Sequence, residues 1–530
     1  MSAWSPLRYR VYRALWITLL ASNIGAFMQT VGAAWLMVEL DATPSVVALV
    51  QTAAYLPVVF VGIAAGALAD LVDRRKLLLV TQLVMLVTAA ALALVTVLGI
   101  VTPLMLLGFT FALGFGATFN YPAYQALQPE LVPPEELKQA VTLGGANTNM
   151  ARAVGPAVGG LLIAAAGVWL VFALNALSFV GGVVVLWRWK RPVEDSDVPP
   201  ERFAGAMRAG LRYALFAHAL QGVGVRSLVF GLASGGLMSL LPVYASADLG
   251  LGSGGLGMLY AGIGGGAVVT AAIISRVRDH LSDDRVFALG SFLVAGALVA
   301  FALTRSPVFA FAISIVAGIG WLLCLSTLNV ASQEALPGWV RARGLAFYLT
   351  AISIGMAAGA AAWGRLANVI GVPETYAWGA LAIVVTLGLA WIWRFDAIAR
   401  LDLSPAPLAI TEGSLVGWED AASPALVLVE YLVRPEREGE FLRHLRLVER
   451  VRRRTGAVSW SVYRDADQAH RFIESFVLPT WDEHVRQHQR RTVTDALVQA
   501  ELTEFLQEGA EPQAWHYVRP PRAGLRIWPR

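Results

Sequence analysis

Long apolar runs alternate with short charged breaks along most of this chain, and that alternation limits what it can fold into more than any other feature. One break, GALADLVDRRKLLLV from Gly66 to Val80, sets two acids and three bases between runs that are each long enough to cross a bilayer. A hydrocarbon core of about 30 Å takes about 20 residues of helix, and only structures that satisfy their own backbone hydrogen bonds can occupy it. By that ruler twelve spans are expected: Ala14–Val38, Val46–Ala69, Leu77–Ile100, Pro103–Tyr124, Gln139–Ala166, Val168–Trp187, Ser227–Ala247, Gly254–Ser275, Val286–Leu303, Val308–Val330, Gly344–Ala367 and Tyr376–Trp393. With 57% hydrophobic and 15% charged residues, the chain lies outside ordinary globular usage and reads as a polytopic membrane protein. Beyond Arg394 it turns rich in Arg and Glu with no run long enough to span, which predicts a soluble tail.

The breaks also assign sides. Bases gather in alternate connections: Arg8, Arg10 and Arg13; Arg74, Arg75 and Lys76; Lys138; the stretch from Arg188 to Arg226; Arg276, Arg278 and Arg285; Arg341 and Arg343. The opposite connections hold Arg305 and Arg365. The positive-inside rule then makes both termini, the long loop and the tail cytoplasmic, in an inner membrane. The net charge of +4 is accounted for by topology, so no nucleic-acid partner is expected. Cys324 is the single cysteine and excludes an intramolecular disulfide. The first apolar run, too long for a signal peptide and without a small-residue cleavage site, is read as an uncleaved span. The expected fold is all-α, with two six-helix pseudo-symmetric bundles followed by a small α+β ferredoxin-like domain. Its parts are residues 1–187, a linker loop 188–226, residues 227–400, a linker 401–422 and the domain 423–520.

The two halves echo each other. NYPAYQALQPELVPPEELKQA after the fourth span matches NVASQEALPGWVRARGLA after the tenth, aligning Asn120 with Asn329, Gln125 with Gln333 and Pro129 with Pro337. A parallel repeat of six-span halves is a transporter architecture, with the solute pathway between the halves. Gly66, Asp70, Arg74 and Arg75 resemble the signature of the major facilitator superfamily between spans two and three, although Leu71 replaces the usual base and Asp73 the usual glycine. SRVRDH from Ser275 is a remnant of its second-half counterpart. GPAVGG, with Gly155, Pro156, Gly159 and Gly160, resembles the fifth-span motif of the superfamily's drug:proton antiporters, with Ala151 and Thr142 at the upstream glycine positions. The chain up to about residue 395 is most similar to the branch containing the enterobactin exporter and related efflux proteins. The resemblance implies a secondary active exporter of a siderophore, drug or other amphipathic solute, working by alternating access and proton antiport. It also implies that Asp70, with Gly66, Arg74 and Arg75, latches the halves on the cytoplasmic side; the plainer reading is a topology signal.

Several residues are candidates for the pathway. Arg152 lies near mid-span, where an arginine costs about 2.5–3.5 kcal/mol on insertion scales. It can face a cavity and bind an anionic solute, with Asn147 and Asn149 within a turn, or form a structural ion pair or snorkel. Glu39, Asp41 and Glu334 stand at span ends, where partial burial would raise a carboxyl toward the pH of a transported proton, or where water simply solvates them. Asn23, Gln29 and Asn120 can line a path or bond between helices. GIGGG from Gly262 follows no strand and precedes no Lys-Ser/Thr pair, so a nucleotide loop and an ATP-driven pump are not expected.

In the tail, ALVLVEYLV, a helix from Glu436 to Arg454, AVSWSVYRD, HRFIESFVL, a helical stretch from Trp481 to Gln507 and AWHYV give strand–helix–strand–strand–helix–strand. This resembles the small antibiotic-biosynthesis monooxygenase type, whose members commonly pair, and a homodimer through the tail is expected. His484 and His488 lie four apart and can bind a metal only if a third ligand such as His444 or Glu474 converges. No metal, cofactor or catalytic residue is expected, and the chain reads as a non-enzyme. The alternative is a bifunctional protein whose tail modifies or senses the transported compound.

Overall fold

The computed structural model describes residues 4–189, 203–407 and 423–519. Twelve of its helices are long and apolar enough to cross a membrane. Six precede the long loop: α1 Arg10–Glu39, α2 Pro44–Leu71, α3 Arg74–Val97, α4 Pro103–Leu127, α5 Leu137–Ala166 and α6 Val168–Arg188. A shorter helix, α7 (Phe203–Phe216), leads into the other six, built on α8 His218–Ser239, α9 Ser253–His280, α10 Asp283–Leu303, α11 Pro307–Glu334, α12 Arg341–Ile370 and α13 Val372–Thr386. Leu104, Leu303 and Val369 stand exposed on them. Apolar surface on that scale belongs against lipid.

Local chemistry sets where the helices stop. Asp73 accepts a hydrogen bond from the Lys76 backbone N–H at 3.1 Å and so caps α3, which is why an acid stands inside the basic break. Thr102 caps α4 in the same way. Gly167 joins α5 to α6 at φ +90° and Gly371 joins α12 to α13 at φ +92°, a conformation that only glycine adopts freely. The same joint at the same place in each half marks the repeat. Packing repeats too. In the first half α1 lies on α5, α2 on α4 and α3 on α6. In the second, α10 lies on α13, while close glycine contacts join α8 to α12 and α9 to α11.

The chain forms two compact units. One comprises Met1–Phe203, Val223–Val330 and Ala346–Asp396; the other comprises Ala204–Gly222, Ala331–Leu345 and Ala397–Arg530. The second unit holds an antiparallel sheet of β1 Ala425–Leu432, β2 Ser459–Arg464, β3 Arg471–Leu478 and β4 Gln513–Val518 in the order β2-β3-β1-β4, with helices α14 Glu438–Thr455, α15 Trp481–Gln489 and α16 Val493–Ala500. That is the ferredoxin-like crossing pattern. Strict alternation turns Ala425, Val427, Val429 and Tyr431 of β1 inward, where they meet Phe472 and Phe476 of β3 and Phe441, Leu445 and Val448 of α14. The expected helical stretch after Trp481 is interrupted: Thr492 and Asp495 form a capping box that starts α16 afresh.

The second unit also takes in segments that the sequence reading treated as connections. Arg212 of α7 donates to the Gly456 carbonyl at 2.6 Å and pairs with Glu483 of α15 at 3.6 Å. Tyr213 packs edge-on against Trp339, with ring centroids 5.6 Å apart, and Arg490 lies over the same indole at 4.7 Å. The backbone N–H groups of Val493 and Thr494 donate to the carbonyls of Ser404 and Asp402, tying part of the second linker to the start of α16. Residues 190–202 and 408–422, the rest of the two linkers, lie outside the described residues.

Candidate functional site

The GPAVGG run sits on α5, and its glycines serve two neighbours. A Cβ at Gly155 would lie 2.7 Å from the Cβ of Phe27, and one at Gly159 would lie 3.1 Å from the Cα of Met28, so this face of α5 presses on α1. A Cβ at Gly160 would lie 2.6 Å from the Cα of Gly257, across the boundary on α9. One at Gly264 would lie 2.7 Å from the Cα of Ala153. Backbone meets backbone along this inter-half seam because side chains are absent from both surfaces. A second seam joins α2 to α12. There the Ser45 N–H donates to Asn368 Oδ1 at 3.0 Å, Asn368 Nδ2 donates to Ser45 Oγ at 2.8 Å, and Thr52 Oγ1 donates to the Ala357 carbonyl at 2.9 Å.

Arg152 stands beside the first seam, its own carbonyl 2.9 Å from where a Gly264 Cβ would be. Its guanidinium carbon lies 5.8 Å from the centre of the Phe27 ring. Arg152 makes no ion pair among the described residues. Asn149, one turn earlier on the same helix, is half-buried.

The other polar candidates go elsewhere. Asn147 is fully buried, donates to the Trp16 carbonyl at 2.9 Å and accepts from Asn23 Nδ2 at 2.9 Å, so both asparagines bind α1 to α5. Gln29 accepts from Asn175 of α6 at 3.2 Å. Asn120 donates to Thr81 of α3 at 3.1 Å and lines a small cavity inside the first half with Gln82 and Tyr124. These four bond between helices of one half, the lower-cost arrangement for an amide among apolar neighbours. Glu39 is exposed and accepts from Trp35 Nε1 at 2.7 Å; Asp41 is exposed at φ 53°; Glu334 ends α11.

The latch residues divide similarly. Arg74 donates to Glu130 at 2.6 Å, and Arg75 donates to the Leu186 and Trp187 carbonyls at 2.7 and 2.9 Å, capping the end of α6. Both bases therefore tie α3 to its own half. A Cβ at Gly66 would meet nothing within 4 Å. Asp70 stands in the last turn of α2, and its side chain lies outside the described residues.

Sequence reasoning missed the most deeply buried cation among the described residues. Arg226 is 2% exposed, donates to Asp284 Oδ1 at 2.7 Å and to the Trp393 carbonyl at 2.9 Å, and lies 3.5 Å from the centre of the Phe395 ring. Asp284 and Asp396 exchange backbone-to-carboxylate bonds at 3.1 and 3.3 Å, so this knot joins α8, α10 and the chain beyond α13. The available signal was a base heading the seventh span and paired acids heading the ninth.

Residues 1–523 match the family described as transmembrane secretion effector, of the major facilitator type. The chain belongs to this family of the major facilitator superfamily. Its members are transporters rather than enzymes. Similar relatives include the enterobactin exporter EntS of Shigella boydii, 27% identical over 56% of this chain and 72% of that protein. The MFS-type transporter YfiS of Bacillus subtilis is 28% identical over 33% of this chain, and macrolide efflux protein A of Streptococcus pyogenes is 25% identical over the same share. The matched segment spans only 42% of the length of each of these two relatives. Among solved structures, an inward-facing bacterial homolog of the lysosomal transporter Spinster has a TM-score of 0.55 at 15% identity, covering 74% of this chain and 96% of that one. A POT family transporter has a TM-score of 0.59 at 12% identity, covering 74% and 97%. At these identities the structural likeness bears on the fold alone.

In this superfamily member the tail holds a polar core of its own. Glu474 is fully buried on β3 and accepts from Tyr431 at 2.9 Å, Trp460 at 2.9 Å and Arg452 at 3.1 Å. Burial first, and then the Glu474 carboxylate, raise the Tyr431 hydroxyl well above its usual range. Glu474 is thus committed to Arg452, and His444 to the Val498 carbonyl at 2.8 Å. His516 of β4, which sequence reasoning did not name, lies beside His484 and His488.

Proposed function

We propose that this major facilitator protein exports an anionic or polar aromatic small molecule across the cytoplasmic membrane by alternating access, in exchange for protons. Arg152 carries the reading. An arginine at mid-span, beside an aromatic ring and next to the inter-half seam, has no carboxylate to offset it among the described residues. A solute carrying negative charge would supply the missing counter-charge, and a ring on it would find Phe27 beside the guanidinium. The names of the relatives give enterobactin and macrolides as their cargo, and a catechol siderophore or an amphipathic drug is the class proposed for this chain. Glu39 and Asp41 at one end of the spans and Glu334 at another are the carboxylates offered for proton exchange. Gly66, Asp70, Arg74 and Arg75 are proposed to brace the cytoplasmic end, and both termini are proposed to lie in the cytoplasm.

The test is transport by proteoliposomes under an imposed pH gradient against a panel of anionic, neutral and cationic aromatic compounds. Losing one charge-assisted contact of roughly 1.5–3 kcal/mol, Arg152→Ala should slow export of the anionic members about 10- to 100-fold and spare the neutral ones. Equal rates for wild type and variant would defeat the reading.

The tail is proposed to act as a regulatory or dimerising module. The sheet face away from α14 presents Trp515 at 39% and Tyr517 at 51% exposure, opposite Leu428 and Leu426 in the ladder, which suits self-association. Deleting residues 410–530 should leave transport substantially intact. Loss of product formation on deletion would favour the bifunctional reading instead.

A further inference from the structure

Three imidazoles meet in the tail where α15 approaches β4. His484 and His488 are one turn apart, with ring centroids 4.7 Å from each other. His516 reaches the same place from the sheet, its ring 4.8 Å from His484, and Trp481 closes over His484 at 5.0 Å. One nitrogen from each histidine can be chosen so that all three lie within 4.8 Å of one another. His484 is 2% exposed, and its Nδ1 has no hydrogen-bond partner. A buried nitrogen left in that condition costs about 1–3 kcal/mol. A packed ring alone would be served better by phenylalanine. His488 is half-buried and His516 exposed, so the cluster opens to water on one side.

We propose that His484, His488 and His516 bind a divalent transition metal ion of the class that prefers imidazole, Zn²⁺ foremost, with a fourth position open to water or a small ligand. Imidazole offers a metal its lone pair in the neutral form, and the burial of His484 disfavours the charged ring. The positive charge of Arg452 is offset by its pairing with Glu474. A tetrahedral ion with bonds of 2.0–2.1 Å spaces its ligands about 3.4 Å apart, so nitrogens up to 4.8 Å apart must draw in by as much as about 1.4 Å. His516 has that freedom, since it is exposed on β4, the edge strand of the sheet.

The site is tested on the full chain in detergent, purified without a polyhistidine tag and stripped of metal. Titration with Zn²⁺ against a chromophoric chelator should give one equivalent per chain, and Co²⁺ should give visible d–d absorption of an imidazole-bound ion. His516→Ala should weaken binding by at least about 100-fold, more than the loss of a residue that only orients a ligand. His444→Ala should leave it unchanged. If His516→Ala does not fold, as judged by circular dichroism and thermal melting, His488→Gln at its half-buried position provides the same comparison. Unchanged Zn²⁺ affinity in whichever variant folds, or no Zn²⁺ or Co²⁺ retained by the wild type, would overturn the proposal.

Discussion

At the scale of single residues, two positions bear unusual constraint. Gly160 has no room for a side chain, since its missing Cβ would fall 2.6 Å from the Cα of Gly257. Gly160→Val should destabilise the protein by about 1–3 kcal/mol, as overpacking does, and should block transport. Gly265→Ala, where a Cβ meets nothing within 4 Å, is the matched control and should be silent in both detergent melting and flux. Arg226 is constrained electrostatically. Asp284→Ala would leave a guanidinium at 2% exposure without its counter-charge, a loss of about 3–5 kcal/mol that a melting curve should report as a clear drop. The two positions were unequally legible in the sequence. A glycine run inside an apolar span announces close packing, although not which helix comes close. Arg226 looked like another loop base, because its burial depends on Asp284 and Phe395, which are distant in sequence.

At the scale of elements, apolar run length found the twelve spans, since the bilayer ruler acts on each run separately. It could not find α7, which is too short to span and whose partners are Glu483, Gly456 and Trp339. The roles of the intramembrane amides were illegible for a related reason: an asparagine facing a path and one facing a neighbouring helix have the same sequence signature. The structure separates them. Asn147→Ala removes the bonds to Trp16 and Asn23, and at about 0.6 kcal/mol per bond within a membrane it should cost about 1 kcal/mol in stability. Solute selectivity should stay the same, because the amide bonds to α1 and not to cargo. A changed substrate preference in proteoliposomes would return Asn147 to the pathway.

At the scale of the molecule, the alternating access proposed above would part the α2–α12 seam. Ser45 and Asn368 touch at 2.8 Å across it, and Cys324, the single native cysteine, is buried. A Ser45→Cys/Asn368→Cys pair joined by a short thiol cross-linker that reductants can cleave should stop transport, and cleavage should restore it; flux that survives full cross-linking would mean the seam need not open. The halves also differ in how they are fastened. In the first, Tyr12, Trp16, Asn23 and Asn147 stitch α1 to α5 with directional bonds. In the second, Gly231, Gly235, Gly355 and Gly359 bring α8 and α12 backbone to backbone, and Trp363 Nε1 donates to the Leu232 carbonyl at 2.7 Å between them. The later pair rests more on close backbone contact and the earlier one more on directional bonds. Strain introduced by a bound solute should therefore be relieved first in the later half, leaving the earlier one as a stiff anvil against which the other deforms.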